Sequence, residues 1–304
     1  MTNLNPKHHT LIQALLTRGP LLKNEFHLIF KAVTGKSPGT HQQLFDDYLL
    51  KINKALSYVQ FELRCCRHQY DGHVYYGVVN NISNEQSKLG TKYSAPQIAF
   101  YKAILDAILQ DPAAQGSISN IAALNLRLEN QVLTVTNSES QGGDIPALRN
   151  FTITQKEKTL EELVRDQWLS STPGGIVGLG IRSFLDLRSW FRSNDVPPCE
   201  ICNEAGVKAE LCKNESCTVR IHDYCLKKMF SQHKSGRVCP SCSTQWPFTG
   251  PKAEAVDEDE EPNVTTQSQL PSERKRKRID SSSSQASQPI SDVKRVARRS
   301  ARAR

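Results

Sequence analysis

Seven of the nine cysteines fall between Cys199 and Cys242, and with His222 they form a run of eight potential metal donors. In order these are Cys199, Cys202, Cys212, Cys217, His222, Cys225, Cys239 and Cys242, separated by 2, 9, 4, 4, 2, 13 and 2 residues. Thiolate and imidazole at this density suit Zn²⁺, which takes four tetrahedral ligands in structural sites, so eight donors make two zinc ions. The linkers between donors are too short to bury a core, and the metals must supply the folding energy of this segment. The start of the chain, MTNLNPKHHT, lacks the apolar core of a signal peptide. That argues against secretion, and so for metal ligands rather than disulfides. No apolar run approaches the length of a membrane span.

Charge is as unevenly distributed as cysteine. The chain carries a formal +8, but Arg274–Arg304 holds 11 Lys/Arg against Asp280 and Asp292, a local +9 that leaves −1 for residues 1–273. The basic character therefore belongs to the tail and says nothing of a basic folded surface. An acidic block, Asp257 to Glu261, opens this region, followed by a Ser/Gln-rich stretch with the basic run Arg274–Arg278. Residues 251–304 have too few apolar side chains to offset the entropy of ordering and read as disordered. The uninterrupted basic run reads as a nuclear address.

The first 80 residues carry three helical stripes and a hairpin. Leu11, Leu15 and Leu16 precede a Gly19-Pro20 stop, and Leu22, Phe26, Ile29 and Phe30 mark a second helix over 21–33. A third opens with the capping-box spacing Thr40 to Gln43 and runs through Leu44, Tyr48, Leu49, Ile52, Leu56 and Val59. Asp71-Gly72 between two β-prone runs signals a hairpin. This order is that of a winged helix, a helix-turn-helix variant whose third helix can enter a DNA groove. Here that helix carries Asp46 and Asp47 beside Lys51 and Lys54, which favours protein docking over DNA reading.

A second block repeats the plan less cleanly. Ser94 to Gln97 has capping-box spacing before the stripe Ile98, Tyr101, Ile104, Leu105, Ile108. An apolar segment at 118–128, a strand-like VLTVT at 132–136, a helix capped by Thr159 to Glu162, and a hairpin turning at Pro173-Gly174-Gly175 follow. An amphipathic linker helix over 181–191 leads to Pro197-Pro198. The two blocks resemble a tandem in architecture, without a residue-level repeat. The expected fold is thus α+β and multidomain: winged-helix-like domains at 1–92 and 93–195, a zinc module at 196–250, and the tail at 251–304. Cys65 and Cys66 point to opposite faces of a strand and read as packing residues, and His233 reads as an exposed helix residue. Neither a nucleophile–base pair nor a phosphate-cradling glycine loop stands out.

Two zinc-module families share the Cys/His order. The Cys212-x4-Cys217-x4-His222 spacing is similar to plant-homeodomain fingers, but Arg237 stands where those carry an aromatic. The final Cys239-Pro240-Ser241-Cys242 and the aliphatic Ile201 before Cys202 resemble RING domains. With the preceding helical blocks and the closing CPSCSTQWPF, the chain resembles the non-SMC element 1 family, RING-like subunits of the SMC five–six chromosome-maintenance complex. The resemblance implies a cross-brace, with Cys199, Cys202, His222 and Cys225 on one zinc and Cys212, Cys217, Cys239 and Cys242 on the other. It implies a ubiquitin ligase subunit in DNA repair and recombination, partnered by a MAGE-type subunit, a kleisin and a ubiquitin-conjugating enzyme that Ile201 would contact. Such a module uses no covalent chemistry of its own; it positions the charged conjugating enzyme.

Two departures matter. The second knuckle is two residues longer than the family's Cys-x2-Cys, and Ser243 replaces the Arg by which strong ligases hold the ubiquitin tail. Weak intrinsic activity raised by a partner is therefore expected, and the other reading is a non-enzymatic scaffold or histone-tail reader. DNA binding should be weak, non-specific and carried by the tail. Deletion of residues 273–304 should shift the free chain out of the nucleus, as followed by fluorescence microscopy; a truncation that stays fully nuclear without a partner contradicts the address.

Overall fold

The structure is a computed structural model that describes residues 4–81, 92–128, 150–232 and 237–246. All of them belong to one compact unit, Met1–Asp259. The expected strand at 132–136, His233 and the tail lie outside the described residues. Among the described residues no helix is long and apolar enough to cross a membrane.

Asn5 begins the first helix, α1 (Pro6–Arg18), by a reciprocal cap with His8, and Pro6 sits at its first turn, where a missing N–H costs nothing. The segment after Gly19-Pro20 differs from expectation. Leu21–Leu22 is a short strand, β1, paired with Tyr76 and Tyr75, and the helix α2 starts only at Lys23 and runs to Thr34. Helix α3 spans Gln42–Leu56, but Thr40 does not cap it; its hydroxyl bonds Ser37 O and His41 Nδ1 instead. Strands β2 (Phe61–Arg67) and β3 (Val74–Asn80) form the hairpin, with Gly72 at φ 72°, the left-handed turn conformation glycine tolerates. The sheet order is β1-β3-β2. Phe26, Phe30, Phe45, Ile52, Leu63 and Tyr76 fill the core beneath it.

Among the described residues the second block has the same element order. Helix α4 (Ala95–Leu109), strand β4 (Ser117–Ser119), helix α5 (Asn120–Leu124) and helix α6 (Ile153–Arg165) precede β5 (Leu169–Ser171) and β6 (Ile176–Leu179). The sheet runs β4-β6-β5, again first–third–second. Thr152 with Gln155 caps α6, whereas Thr159 lies inside the helix, its hydroxyl bonded back to Gln155 O. A Ser/Thr-x-x-Glu/Gln spacing recurs within helices, and only the occurrence preceded by extended backbone is a cap.

The expected linker helix is not a linker. It divides at Leu187 into α7 (Ile181–Asp186) and α8 (Arg188–Ser193), and it is packed on both sides. Ile181 and Leu185 pack with Val79 of the first sheet, while Phe184, Leu187 and Phe191 enter the second core. Cys66 contacts both of these clusters and packs as expected, and burial pushes its thiol well up, whereas Cys65 on the opposite face is exposed and joins neither cluster.

The hairpin tip, residues 68–73, is the joint. Tyr70 lies over Gly178, where a Cβ would come within 2.7 Å of its ring. Its hydroxyl donates to Gly116 O and accepts from the Leu179 N–H at 3.0 Å. Loss of the hydroxyl strands a buried donor and an acceptor, a cost of about 1–3 kcal/mol. Tyr70→Phe should lower unfolding stability by that amount in denaturant titrations, and Gly178→Val, which meets the ring itself, should cost more.

Candidate metal centre

Val207, between the first two ligands Cys199 and Cys202 and the other six, is buried in the second core, so the zinc segment is anchored before its ligands are complete. Two short strands, β7 (Glu210–Leu211) and β8 (Arg220–Ile221), pair antiparallel, and one helix, α9 (Asp223–Gln232), follows. Among the described residues the buried apolar side chains around the cysteines are Val219, Ile221, Leu226 and Trp246, with Tyr224, Met229 and Phe230 packed partly against them. This is too little to hold a fold by burial alone.

Two knuckles share one design. Cys199 N–H donates to Glu204 O at 2.7 Å, and Cys239 N–H to Thr244 O at 2.8 Å. Asn203 N–H returns to Cys199 O at 2.9 Å, and Ser243 N–H to Cys239 O at 3.0 Å. Both turning residues are left-handed, Asn203 at φ 57° and Ser243 at φ 59°. The longer knuckle between Cys212 and Cys217 absorbs its extra residues in a turn. There Asn214 Oδ1 accepts from the Ser216 N–H at 3.1 Å and hydroxyl at 2.7 Å.

The eight donors fall into two quartets, Cys199/Cys202/His222/Cys225 and Cys212/Cys217/Cys239/Cys242, with the ligand atoms of each within 4.8 Å of one another. First and third pairs are joined, second with fourth, which is the interleaved cross-brace. In the all-cysteine quartet Cys217 and Cys239 sulfurs are 3.8 Å apart and Cys212 and Cys242 sulfurs 3.4 Å. Tetrahedral Zn–S bonds of about 2.3 Å place sulfurs roughly 3.8 Å apart, so the donors fit the ion. In the other quartet His222 Nδ1 stands 3.3 Å from Cys202 Sγ and 3.9 Å from Cys225 Sγ. Its Nε2 faces Ala205 O at 3.2 Å, which fixes the tautomer with the proton on Nε2 and the lone pair on Nδ1.

The electrostatics of both quartets favour a dication. Burial pulls the His222 imidazole down, yet hydrogen bonds and charge from Cys199 and Cys202 outweigh it and push it up to about 9. The Thr244 hydroxyl and backbone N–H hold Cys242 down to about 6. In each quartet neighbouring thiols oppose one another's ionisation, Cys225 being pushed up by Cys199 and Cys202, and Cys212 and Cys217 also being pushed up, so that full deprotonation of either set needs a cation such as zinc between the sulfurs.

Ile201 projects from the first knuckle with 42% exposure, and Val238 beside Cys239 is 41% exposed. Sequence reasoning missed the module's seating. Gln69 from the hairpin tip donates through Nε2 to Ala205 O at 2.6 Å and accepts the Lys208 N–H at 2.9 Å. Arg188 pairs with Glu204, its Nε 2.9 Å from Oε2, and Arg67 lies over the Tyr224 ring at 5.4 Å. Single polar residues like Gln69 carry no periodic signal by which to find them.

A cross-braced, two-zinc, RING-like module seated on paired helix–sheet units defines the class of this protein. Comparison with known proteins agrees: the RING-like domain model matches residues 199–242, and the model "Nse1 non-SMC component of SMC5-6 complex" matches residues 8–187. The chain belongs to the Nse1 family. The non-structural maintenance of chromosomes element 1 homolog of Xenopus laevis is 24% identical over 258 residues, covering 83% of this chain and 87% of that protein. The homolog of Homo sapiens is 24% identical over 222 residues, covering 72% and 75%. A solved structure described as an Nse1-Nse3-Nse4 complex superposes with a TM-score of 0.63 at 23% identity, over 82% of this chain and 99% of that one.

Native mass spectrometry of the full chain should find two zinc ions. Cys225→Ser should leave one tightly held ion, and Cys239→Ser should do the same at the other centre. A single ion in the wild-type chain contradicts the cross-brace.

Proposed function

We propose that this chain is the RING-like subunit of an SMC5-6 chromosome-maintenance complex, binding a MAGE-type Nse3 subunit and a kleisin Nse4 subunit and promoting ubiquitin transfer in DNA repair and recombination. Family membership and the likeness to the Nse1-Nse3-Nse4 structure support the assembly reading. The single observation that carries the transfer reading is Ile201, an exposed aliphatic side chain in the first zinc knuckle that lies outside the packed cluster around the cysteines. It suits contact with a conjugating enzyme's loop.

The two helix–sheet units, residues 1–92 and 93–195, act as winged-helix-like docking modules. Their first–third–second strand order supports this. Direct DNA reading by the first unit is disfavoured, because α3 carries Asp46 and Asp47, and Gln69 and Tyr70 of the hairpin are bonded to the zinc module and the second sheet. The basic tail supplies the nuclear address and any weak, salt-sensitive DNA contact. The chain itself performs no covalent step. It raises the effective concentration of a charged conjugating enzyme near a substrate lysine and orders the thioester for attack.

Ser243 fits a modest rate. It carries no guanidinium to hold a ubiquitin tail, so a partner must restrain the charged enzyme. The test measures discharge of ubiquitin-charged conjugating enzyme to free lysine, with and without the MAGE-type partner. Ile201→Ala should keep two zinc ions and lose the stimulation by tenfold or so, the scale of one buried apolar contact of ~1.4 kcal/mol. No discharge above background across a broad enzyme panel, partner present, means the module is a scaffold.

A further inference from the structure

The first zinc quartet is not finished within its own module. His222 is fully buried, and its Nε2 meets the Ala205 carbonyl at 3.2 Å. The same carbonyl accepts from Gln69 Nε2 at 2.6 Å, and a carbonyl oxygen has two lone pairs for two donors. Gln69 sits 7% exposed on the hairpin tip of the first helix–sheet unit, more than 130 residues away in sequence. Its other amide atom, Oε1, accepts the Lys208 N–H at 2.9 Å. One amide therefore spans the loop on both sides of Gly206, and each end meets the complementary partner, which fixes the amide's orientation.

We propose that Gln69 is a positioning residue for the zinc held by Cys199, Cys202, His222 and Cys225, acting through the Ala205 carbonyl on the His222 ring. The proposal rests on the two-zinc reading. Outer-shell partners orient a ligating histidine and raise its basicity, and their loss typically costs 10–100-fold in metal affinity. Gln69 acts one bond further out, so its loss belongs at the low end of that range. The all-cysteine quartet has no equivalent link to the hairpin tip among the described residues. The effect is thus confined to one centre. Linkage runs both ways: the first zinc strengthens the seating of the module on the hairpin by the same factor.

Arg188 separates positioning from seating. It pairs with Glu204 in the same loop but touches neither Ala205 O nor His222. Arg188→Ala removes the loop's ion pair with α8 while both Gln69 bonds keep the loop seated on the hairpin tip, so the outer shell of His222 stays intact.

The experiment uses the full chain loaded with two zinc ions, confirmed by native mass spectrometry so that failure of the zinc reading shows first. Release to a chelator is followed in wild type, Gln69→Glu, Gln69→Leu and Arg188→Ala. Gln69→Glu keeps an acceptor for Lys208 N–H but loses the donor to Ala205, and Gln69→Leu loses both. Both Gln69 variants should release one of the two zinc ions about tenfold faster and the other at the wild-type rate. Arg188→Ala should release both at wild-type rates. The faster ion is assigned by metal NMR of the cadmium-exchanged protein, which distinguishes a centre of three thiolates and one imidazole from an all-thiolate centre. In the wild-type chain, NMR should also show the His222 Nε2 proton as a slowly exchanging signal. Equal acceleration of both centres, equal acceleration in Arg188→Ala, no acceleration, or a wild-type His222 protonated on Nδ1 overturns the proposal.

Discussion

The architecture turns on a six-residue hairpin tip. Tyr70 feeds its hydroxyl between Gly116 and Leu179 of the second sheet, and its neighbour Gln69 holds the loop that carries Ala205 and Lys208. Two adjacent side chains of one turn thus join the first sheet to two other bodies. Gly178 is required beneath the Tyr70 ring, and Gly116, at φ 71°, lets the second unit approach the Lys208 backbone, where a Cβ would stand 3.1 Å from its Cα. Gly178 serves the close approach of the units, and Gly116 serves both that approach and its own left-handed backbone.

The zinc module depends on this joint because it has little core of its own. Its apolar residues amount to a shell around the sulfurs, and Val207 is lent to the second core. Metal coordination and seating therefore share the task of folding it. The cross-brace divides the labour: one quartet contains the buried His222, whose ring is oriented from the hairpin side, and the other closes among cysteines alone. An arrangement of this kind ties the Ile201 knuckle to the helix–sheet units through Gln69 and Arg188, as the proposed positioning of a second protein requires.

Much of this was legible in the chain. The eight donors could be read because metal ligation needs particular atoms at particular spacings, and their cross-braced pairing followed from the family resemblance those spacings carry. The helical stripes of α1, α3 and α4 and the Asp71-Gly72 turn follow from periodicity and from φ constraints. What was not legible has a common cause. The strand Leu21–Leu22 is two residues long and exists only through pairing with Tyr75 and Tyr76. Residues 181–191 have one amphipathic stripe in projection, yet they divide at Leu187, and α7 packs on two cores at once, through Ile181 and Leu185 on one and Phe184 on the other. Thr40 and Thr159 have the spacing of caps, but their hydroxyls are spent on other partners. Gln69 looks like any polar turn residue until the loop it binds is in place. Local patterns report local structure, and the joints between modules are non-local.

The most direct test of the hairpin joint is site-resolved hydrogen exchange of the full chain as zinc is withdrawn with a chelator. The ladder amides of β2 and β3 belong to the first core and should keep their protection. Lys208 N–H, bonded to Gln69, and Ala209 N–H, bonded to Ala114 O at 3.0 Å, should lose protection together with the knuckle amides. Leu179 N–H, bonded to Tyr70 on the other side of the tip, should weaken in the same step. If Lys208 and Ala209 remain protected after the metal is gone, or Leu179 exchanges independently of them, the hairpin tip does not couple the modules and the account is wrong.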